Sequence, residues 1–195
     1  MKKFILASAS ARRREILSHI GLEYTAIAAD VDEITGLPDT PADIVRELAK
    51  RKALALSDKF DGDTIVIGSD TVVCMDGRVL NKPKDKDDAR RMLKSLSGGK
   101  HQVYSGLCVT DGEKTICTHA VTTVKMRDIS DDEINAYIAT GEPLDKAGAY
   151  GIQDKGGIFV ERIEGDYYNV VGLPLEMLCS ILSRDFGVSV LEIIK

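Results

Sequence analysis

Asp70 stands inside TIVIGSDTVVCM, residues 64 to 75, the most apolar strand candidate in the chain. A carboxylate among β-branched apolar residues costs several kcal/mol unless it is paired, protonated or turned into a cleft. In a cleft it can take a proton from water or help hold a cation. Gly68 and Ser69 keep the backbone slim just before it. The structural alternative is a carboxylate bonded to turn amides at a bulge. A second acidic segment, AADVDEITGLPDT, carries Asp30, Asp32 and Glu33. On its own it reads as a solvated loop. Facing Asp70, it would share a hard divalent cation, because Mg²⁺ takes one or two carboxylates and completes its shell with substrate phosphate oxygens.

Cationic residues complement these acids. In FILASASARRREIL, Ser10 is a good N-cap, and Arg12, Arg13 and Arg14 follow at the positive end of a helix dipole. Exposed cations there cost about 0.3–1 kcal/mol each. An anion reverses that sign, since helix N–H groups, the Ser8 and Ser10 hydroxyls and guanidinium forks form a phosphate receptor. The competing reading is three solvated arginines after an ordinary cap. Lys52 lies in LAKRKALAL, Lys82 precedes Pro83, and Lys146 lies in EPLDKAGAYGIQ. Each alone reads as a surface lysine. Together with two acidic segments they suit a polyphosphate carrying a metal ion. In DKAGAYGIQ, Gly148 and Gly151 would let the backbone approach a ligand, with Tyr150 as an aromatic face and Gln153 as an amide. A plain glycine-rich connection is the alternative.

These residues need a frame, and the pattern supplies one. A strand is expected at Phe4 to Ala7, a helix after Ser10 closed by Gly21, and a strand at Glu23 to Ala28. Thr40 caps a helix that has Pro41 at its first position and runs to about Asp58. The strand from Thr64 to Met75 is expected to break at Gly68-Ser69-Asp70-Thr71. Asp76-Gly77 turns it into Arg78 to Leu80. Asp85 to Leu96 is a helix. His101 to Val109 and Lys114 to Met126 form a hairpin around Asp111-Gly112. Ser130 and Glu133 make a capping box. Leu173 to Phe186 is the last helix and Val188 to Ile193 a final strand. Hairpins beside crossover helices mean α/β with a mixed sheet.

With 195 residues the chain is expected to be one domain, or one domain with two lobes. The net charge of −5 argues against polymeric nucleic acid, though a single nucleotide in a local basic cleft remains compatible. No apolar run approaches the roughly 18 residues of a membrane span. The short apolar stretch after Lys2 and Lys3 meets arginines at once, which reads as a cytoplasmic start rather than a signal peptide. The four cysteines form no CxxC pair and read as small buried thiols in a reducing cytosol, with Cys108 and Cys117 flanking the hairpin as potential neighbours. No Walker loop, GxGxxG or GxSxG is present.

Five segments, LASASARRREIL, GSDTVV, NKPKDKDDARRMLKSLSGGKHQVYSG, GEPLDKAGAYGIQ and GDYYNVVGLP, together resemble the Maf proteins in order and spacing, from about Phe4 to Leu182. One departure is Ala11, where the family usually has proline; this costs rigidity in the first helical turn rather than chemistry. The resemblance implies one domain over 1–195: an elongated mixed sheet flanked by helices, two lobes around one nucleotide cleft, akin to the inosine triphosphatase fold. It implies a nucleoside triphosphate pyrophosphatase that cleaves between the α- and β-phosphates with Mg²⁺ or Mn²⁺. By motif, Asp70 would accept the proton. Arg12, Thr71 and Gln153 would set substrate choice. Ser8, Arg13, Glu33, Lys52 and Lys82 would line the phosphate and metal site, with Glu33 and Asp70 on the metal.

Thr71 and Gln153 resemble the branch acting on dTTP and UTP. The branch acting on 7-methyl-GTP has glutamine in place of the threonine and lacks the pair seen here as Tyr167-Tyr168. Modified pyrimidine triphosphates would follow as further substrates, and a homodimer is a family-level expectation. A nucleotide-binding regulator of septum formation, a 7-methyl-GTP enzyme, and a nucleotidyltransferase or kinase are the alternatives. Intact Asp70, Glu33 and Lys82 speak for turnover, and a transferase would need a second substrate pocket.

Overall fold

A computed structural model describes residues 2–60 and 62–194. The order is β1 (Lys3–Leu6), α1 (Ala11–His19), β2 (Thr25–Ala26), α2 (Pro41–Ser57), β3 (Thr64–Met75), β4 (Arg78–Leu80), α3 (Lys86–Leu96), β5 (Lys100–Thr110), β6 (Thr115–Met126), α4 (Asp131–Ala139), β7 (Val160–Glu164), α5 (Tyr167–Val171), α6 (Leu175–Phe186) and α7 (Val190–Ile193). Three 3₁₀ turns separate α4 from β7. The strands follow the order β2-β1-β3-β5-β6-β7, with β4 paired to β3. β1 runs parallel to β2 and β3, whereas β4 and β7 run antiparallel to their partners, so the sheet is mixed as expected. No helix among the described residues is long and apolar enough to cross a membrane.

Local chemistry sets most helix starts. Ser10, Thr40 and Asp85 each accept a bond from the backbone N–H three residues on, and Ser130 with Glu133 forms the full capping box. Asp76 and Gly77 both take positive φ, the pair that a tight hairpin turn demands.

Four expectations of secondary structure fail. β3 is unbroken through Gly68 to Thr71. Gly68 is there because helix α2 lies against it: a Cβ would stand 2.2 Å from the Ala49 carbonyl oxygen. β2 is two residues long rather than six. Residues 167–171 form a helix not foreseen. Val188 to Ile193 contains helix α7 rather than a strand. Gly187 turns left-handed, the Val188 amide bonds the Leu182 carbonyl, and the Ile194 amide bonds the Val190 carbonyl, so the segment finds partners without a sheet.

The chain forms two compact units. The first comprises residues up to Asp70, Ser105–Ala120 and from Gly172 on. Its core includes Ile5, Ala7, Ala49, Ala53, Leu56, Val66 and Cys108. Here α2 meets two glycines backbone to backbone, since a Cβ on Gly106 would stand 1.9 Å from the Val45 carbonyl oxygen. The hairpin of β5 and β6 is cross-linked: Cys108 and Cys117, expected as thiols, are joined by a disulfide with Cα atoms 4.2 Å apart.

The second unit comprises Thr71–Tyr104 and Val121–Val171. Its core includes Leu93, Leu96, Val103, Val124, Met126, Ile134, Tyr150 and Phe159. His101 Nε2 lies 2.8 Å from the Tyr150 hydroxyl, and His101 Nδ1 has no hydrogen-bond partner. Burial pushes this imidazole from 6.5 down to about 4. The folded unit therefore favours neutral His101. Its contribution is complete above pH 6.5, the ordinary value, and is lost as pH falls toward 4. The loss levels off at about 3 kcal/mol. Thermal melts from pH 7 to 4 should show this decline, and His101→Gln, which keeps a polar partner for Tyr150 without titrating, should flatten it. Parallel curves for the two proteins would place the acid sensitivity elsewhere.

Candidate active site

Five of the expected residues converge in the first unit. Asp70, 9% exposed, is the last residue of β3 that belongs to the first unit. Lys52 reaches it from α2, seated by the two glycine contacts, and its Nζ lies 2.6 Å from Asp70 Oδ1. The same Nζ lies 2.6 Å from Glu33 Oε1. Two carboxylates from distant segments thus face one cation. Glu33 is half exposed, whereas Lys52 and Asp70 are nearly enclosed, so the interaction of the latter two is little screened by solvent.

The acidic loop divides its labour. Asp32 Oδ1 accepts the amides of Ile34 and Thr35; the Thr35 side chain first, then the Thr35 and Ile34 amides, hold its carboxyl down at about 2. Asp30 is exposed. Glu33 alone of the three meets Lys52. What fastens the loop is Arg51, whose guanidinium donates to the carbonyls of Asp32, Thr35 and Gly36. Arg51 therefore presents Glu33 to its helical neighbour Lys52. It reads in sequence as one more cation of α2, and nothing local marks its target.

The turn between β1 and α1 contributes Ser8 and Arg13, both buried. Ser8 Oγ accepts the Ser10 amide at 3.2 Å and Arg13 Nη1 at 3.2 Å. Arg13 Nε donates to the Gly172 carbonyl at 2.8 Å, and Ser69 Oγ donates to the same oxygen at 3.1 Å. Arg13 is thus already engaged with the protein, more than a bare phosphate fork would be. Burial pushes its guanidinium below the ordinary value; Asp70 pulls it back, Arg12 opposes, and Glu33 pulls again. Arg12 is half-buried and Arg14 exposed.

Thr71, Lys82 and Gln153 belong to the second unit. Thr71 follows Asp70 on β3, so their side chains leave opposite faces. Lys82 is exposed just past β4, and the adjoining Asn81 carbonyl accepts the Gly148 amide at 3.2 Å. Gln153 is exposed in the loop after Gly151. That loop is fixed by Glu142, whose carboxylate accepts the Tyr137 hydroxyl at 2.7 Å and the amides of Lys155 and Gly156.

Three details of this loop depart from expectation. Lys146, expected at the surface, is 7% exposed, with Nζ 2.6 Å from Asp145 Oδ1 and 3.6 Å from Asp154 Oδ2. Gly148 and Gly151 serve close packing on Val73 and on the Lys146 stem rather than open access for a ligand. Tyr150 is buried against His101 and offers no free aromatic face. Glu142 and Lys146 carried no sequence signal beyond the loop itself, because their partners are set by its folding.

A divalent cation fits the first unit's acids. No group of three or more His, Cys, Asp or Glu side chains gathers among the described residues. Glu33 and Asp70, however, already meet on a single positive charge. That donor set, two hard oxygens with the remainder left to water and phosphate, matches Mg²⁺ or Mn²⁺.

Residues 3–185 match the family described as Maf-like protein. A dTTP/UTP pyrophosphatase of Alkaliphilus metalliredigens is 49% identical over 193 residues, covering 98% of this chain and 100% of that one. Those of Bacillus cytotoxicus and Acetivibrio thermocellus are each 48% identical, covering 97% and 98% of this chain and 99% of theirs. Among solved structures, the Ham1 protein of Staphylococcus aureus aligns at 16% identity with a TM-score of 0.47, over 65% of this chain and 73% of that chain.

Proposed function

The chain belongs to the Maf-like protein family, and from that premise we propose that it hydrolyses dTTP and UTP to the nucleoside monophosphate and pyrophosphate. The observation that carries the reading is the enclosed carboxylate of Asp70 held by Lys52 opposite Glu33. Relatives that align end to end and bear that activity in their names support the substrate class.

Glu33 and Asp70 would hold a Mg²⁺ or Mn²⁺ ion, which when bound neutralises triphosphate charge and eases deprotonation of the attacking water. Asp70 accepts that water's proton on its carboxylate. Lys52 Nζ holds Asp70 Oδ1 in place and balances its charge before the substrate arrives. Arg12 and the positive N-terminal end of α1 take phosphate oxygens, which turns the unfavourable placement of the arginines into binding. Arg13 and Ser8 hold the shape of that turn through the bonds to Ser10 and Gly172. Lys82 is assigned to the leaving pyrophosphate, whose new charge a cation stabilises. Thr71 and Gln153 are assigned to the base. One carboxamide can donate to O4 and accept from N3–H of uracil or thymine.

The test is pyrophosphate release from UTP, dTTP, CTP, ATP, GTP and 7-methyl-GTP with no acceptor present. Equimolar monophosphate and pyrophosphate, fastest from UTP and dTTP, is the expected result. Orthophosphate alone, or binding without turnover, would overturn it. Excess EDTA should abolish release, and Mg²⁺ or Mn²⁺ should restore it; full activity in chelator would give Glu33 another task.

Gln153→Ala should lower kcat/KM for UTP and dTTP by about 5- to 150-fold, because the base's polar edge loses a partner worth about 1–3 kcal/mol. ATP and GTP should change little. A uniform loss across nucleotides would assign Gln153 to the loop's support instead.

A further inference from the structure

Cys108 and Cys117 take no part in the proposed hydrolysis, yet they differ in a way that fits a reaction. They are cross-strand neighbours on β5 and β6, and the Thr110 and Thr115 hydroxyls, in the same register two residues nearer the turn, lie 2.8 Å apart. Cys108 is fully buried against Ala49 and Ala53 of α2. Cys117 is partly exposed and lines a cavity of about 330 Å³ with Pro38, Asp43, Arg46, Glu47 and Lys50. Of the charges on α2 that face this cavity, Arg46 is paired with Asp43 and Glu47 with Arg51. Lys50 has no ion-pair partner among the described residues, so it is the cation left to stabilise a thiolate. His119 lies two residues from Cys117 and therefore on the same strand face. Burial, then Arg46, holds its imidazole below the usual histidine range against the pull of Asp43, which favours the neutral ring beside the pair.

We infer that Cys108 and Cys117 form a reversible thiol–disulfide pair that exchanges with low-molecular-weight disulfides, Cys117 attacking and Cys108 resolving. Starting from the reduced pair, the Cys117 thiol gives up its proton and its sulfur attacks one sulfur of the disulfide RSSR. The first RS⁻ leaves and a mixed disulfide remains on Cys117 in the cavity. Cys108 then loses its proton and attacks Cys117 Sγ, closing the cross-strand bond and expelling the second RS⁻. The protein loses two electrons and two protons, and RSSR becomes two RSH. The other two cysteines do not compete. Cys74 is buried and Cys179 partly so, and burial pushes both thiols up, away from the reactive form.

The full chain, reduced with excess dithiothreitol, is equilibrated across ratios of reduced to oxidised glutathione, then quenched by acid and mapped by mass spectrometry. A Cys108–Cys117 disulfide that forms and is reversed as the ratio changes is the expected result. A pair that stays reduced in oxidised glutathione, or a bond that resists excess dithiothreitol in the folded protein, would overturn the inference. Cys108→Ser should trap one glutathione on Cys117, whereas Cys117→Ser should trap none on Cys108; equal adducts would overturn the assigned roles. Pulsed alkylation of the reduced wild type tests the same asymmetry without substitution. Cys117 should react at least about tenfold faster than Cys108, and equal rates would count against it.

Discussion

Asp70→Asn should lower kcat by about 10²–10⁴ and leave the fold standing. The amide matches the carboxylate in shape, so the packing around position 70 of β3 is kept. Lys52 retains Glu33 as a counter-charge at 2.6 Å, which avoids stranding a buried ammonium. What disappears is the group that takes a proton from water and one of two oxygens for a cation. Circular dichroism and thermal melts should stay close to wild type. Near-normal turnover with an intact fold would end the assignment of Asp70 as the base.

Lys52→Met should damage both stability and turnover. It leaves the Asp70 carboxylate enclosed and facing Glu33 with no ammonium between them. Removing one partner of a buried pair is strongly destabilising, and with Glu33 half exposed the low end, about 3 kcal/mol, is expected. For a chain of this length that corresponds to a fall in Tm of about 6–12 °C. Turnover should fall as well, since Asp70 loses the contact that orients it. The double variant Lys52→Met/Asp70→Asn should recover most of the stability and none of the activity. If the stability losses simply add, the ion pair is not what couples the two residues.

What the sequence made legible was what it encodes within a few residues. Ser10, Thr40, and Ser130 with Glu133 bond amides three positions away, so type and spacing suffice to read them. Asp76-Gly77 announces its turn because few residues tolerate both conformations. Asp70 was legible because a carboxylate in an apolar strand needs a reason. Distant partners were not legible. Arg51 holds carbonyls 15 to 19 positions earlier, and Glu142 holds amides 13 and 14 positions later. Gly68 read as a strand break because glycine is ambiguous between a bulge and a close approach, and only the position of α2 decides. Residues 188–193 read as a strand because apolar alternation was visible and the lack of a sheet partner was not.

The seating of α2 on Gly68 and Gly106 bears on how the first unit opens. Where side chains interdigitate, a helix can lift by a fraction of an ångström and keep much of its contact. Here peptide groups meet peptide groups, with the Val45 and Ala49 carbonyls on two glycines. Dispersion falls off steeply over such a gap, so a partly lifted helix gains nothing and is scarcely populated. The amides of Ala49 to Ala53 should accordingly exchange with deuterated solvent only through openings as large as the unit itself. Lys52, and Glu33 through its neighbour Arg51, ride on that helix. The contacts of Lys52 with Glu33 and Asp70 therefore stay assembled in the free protein, and on the proposed function the charges need no rearrangement before substrate binds.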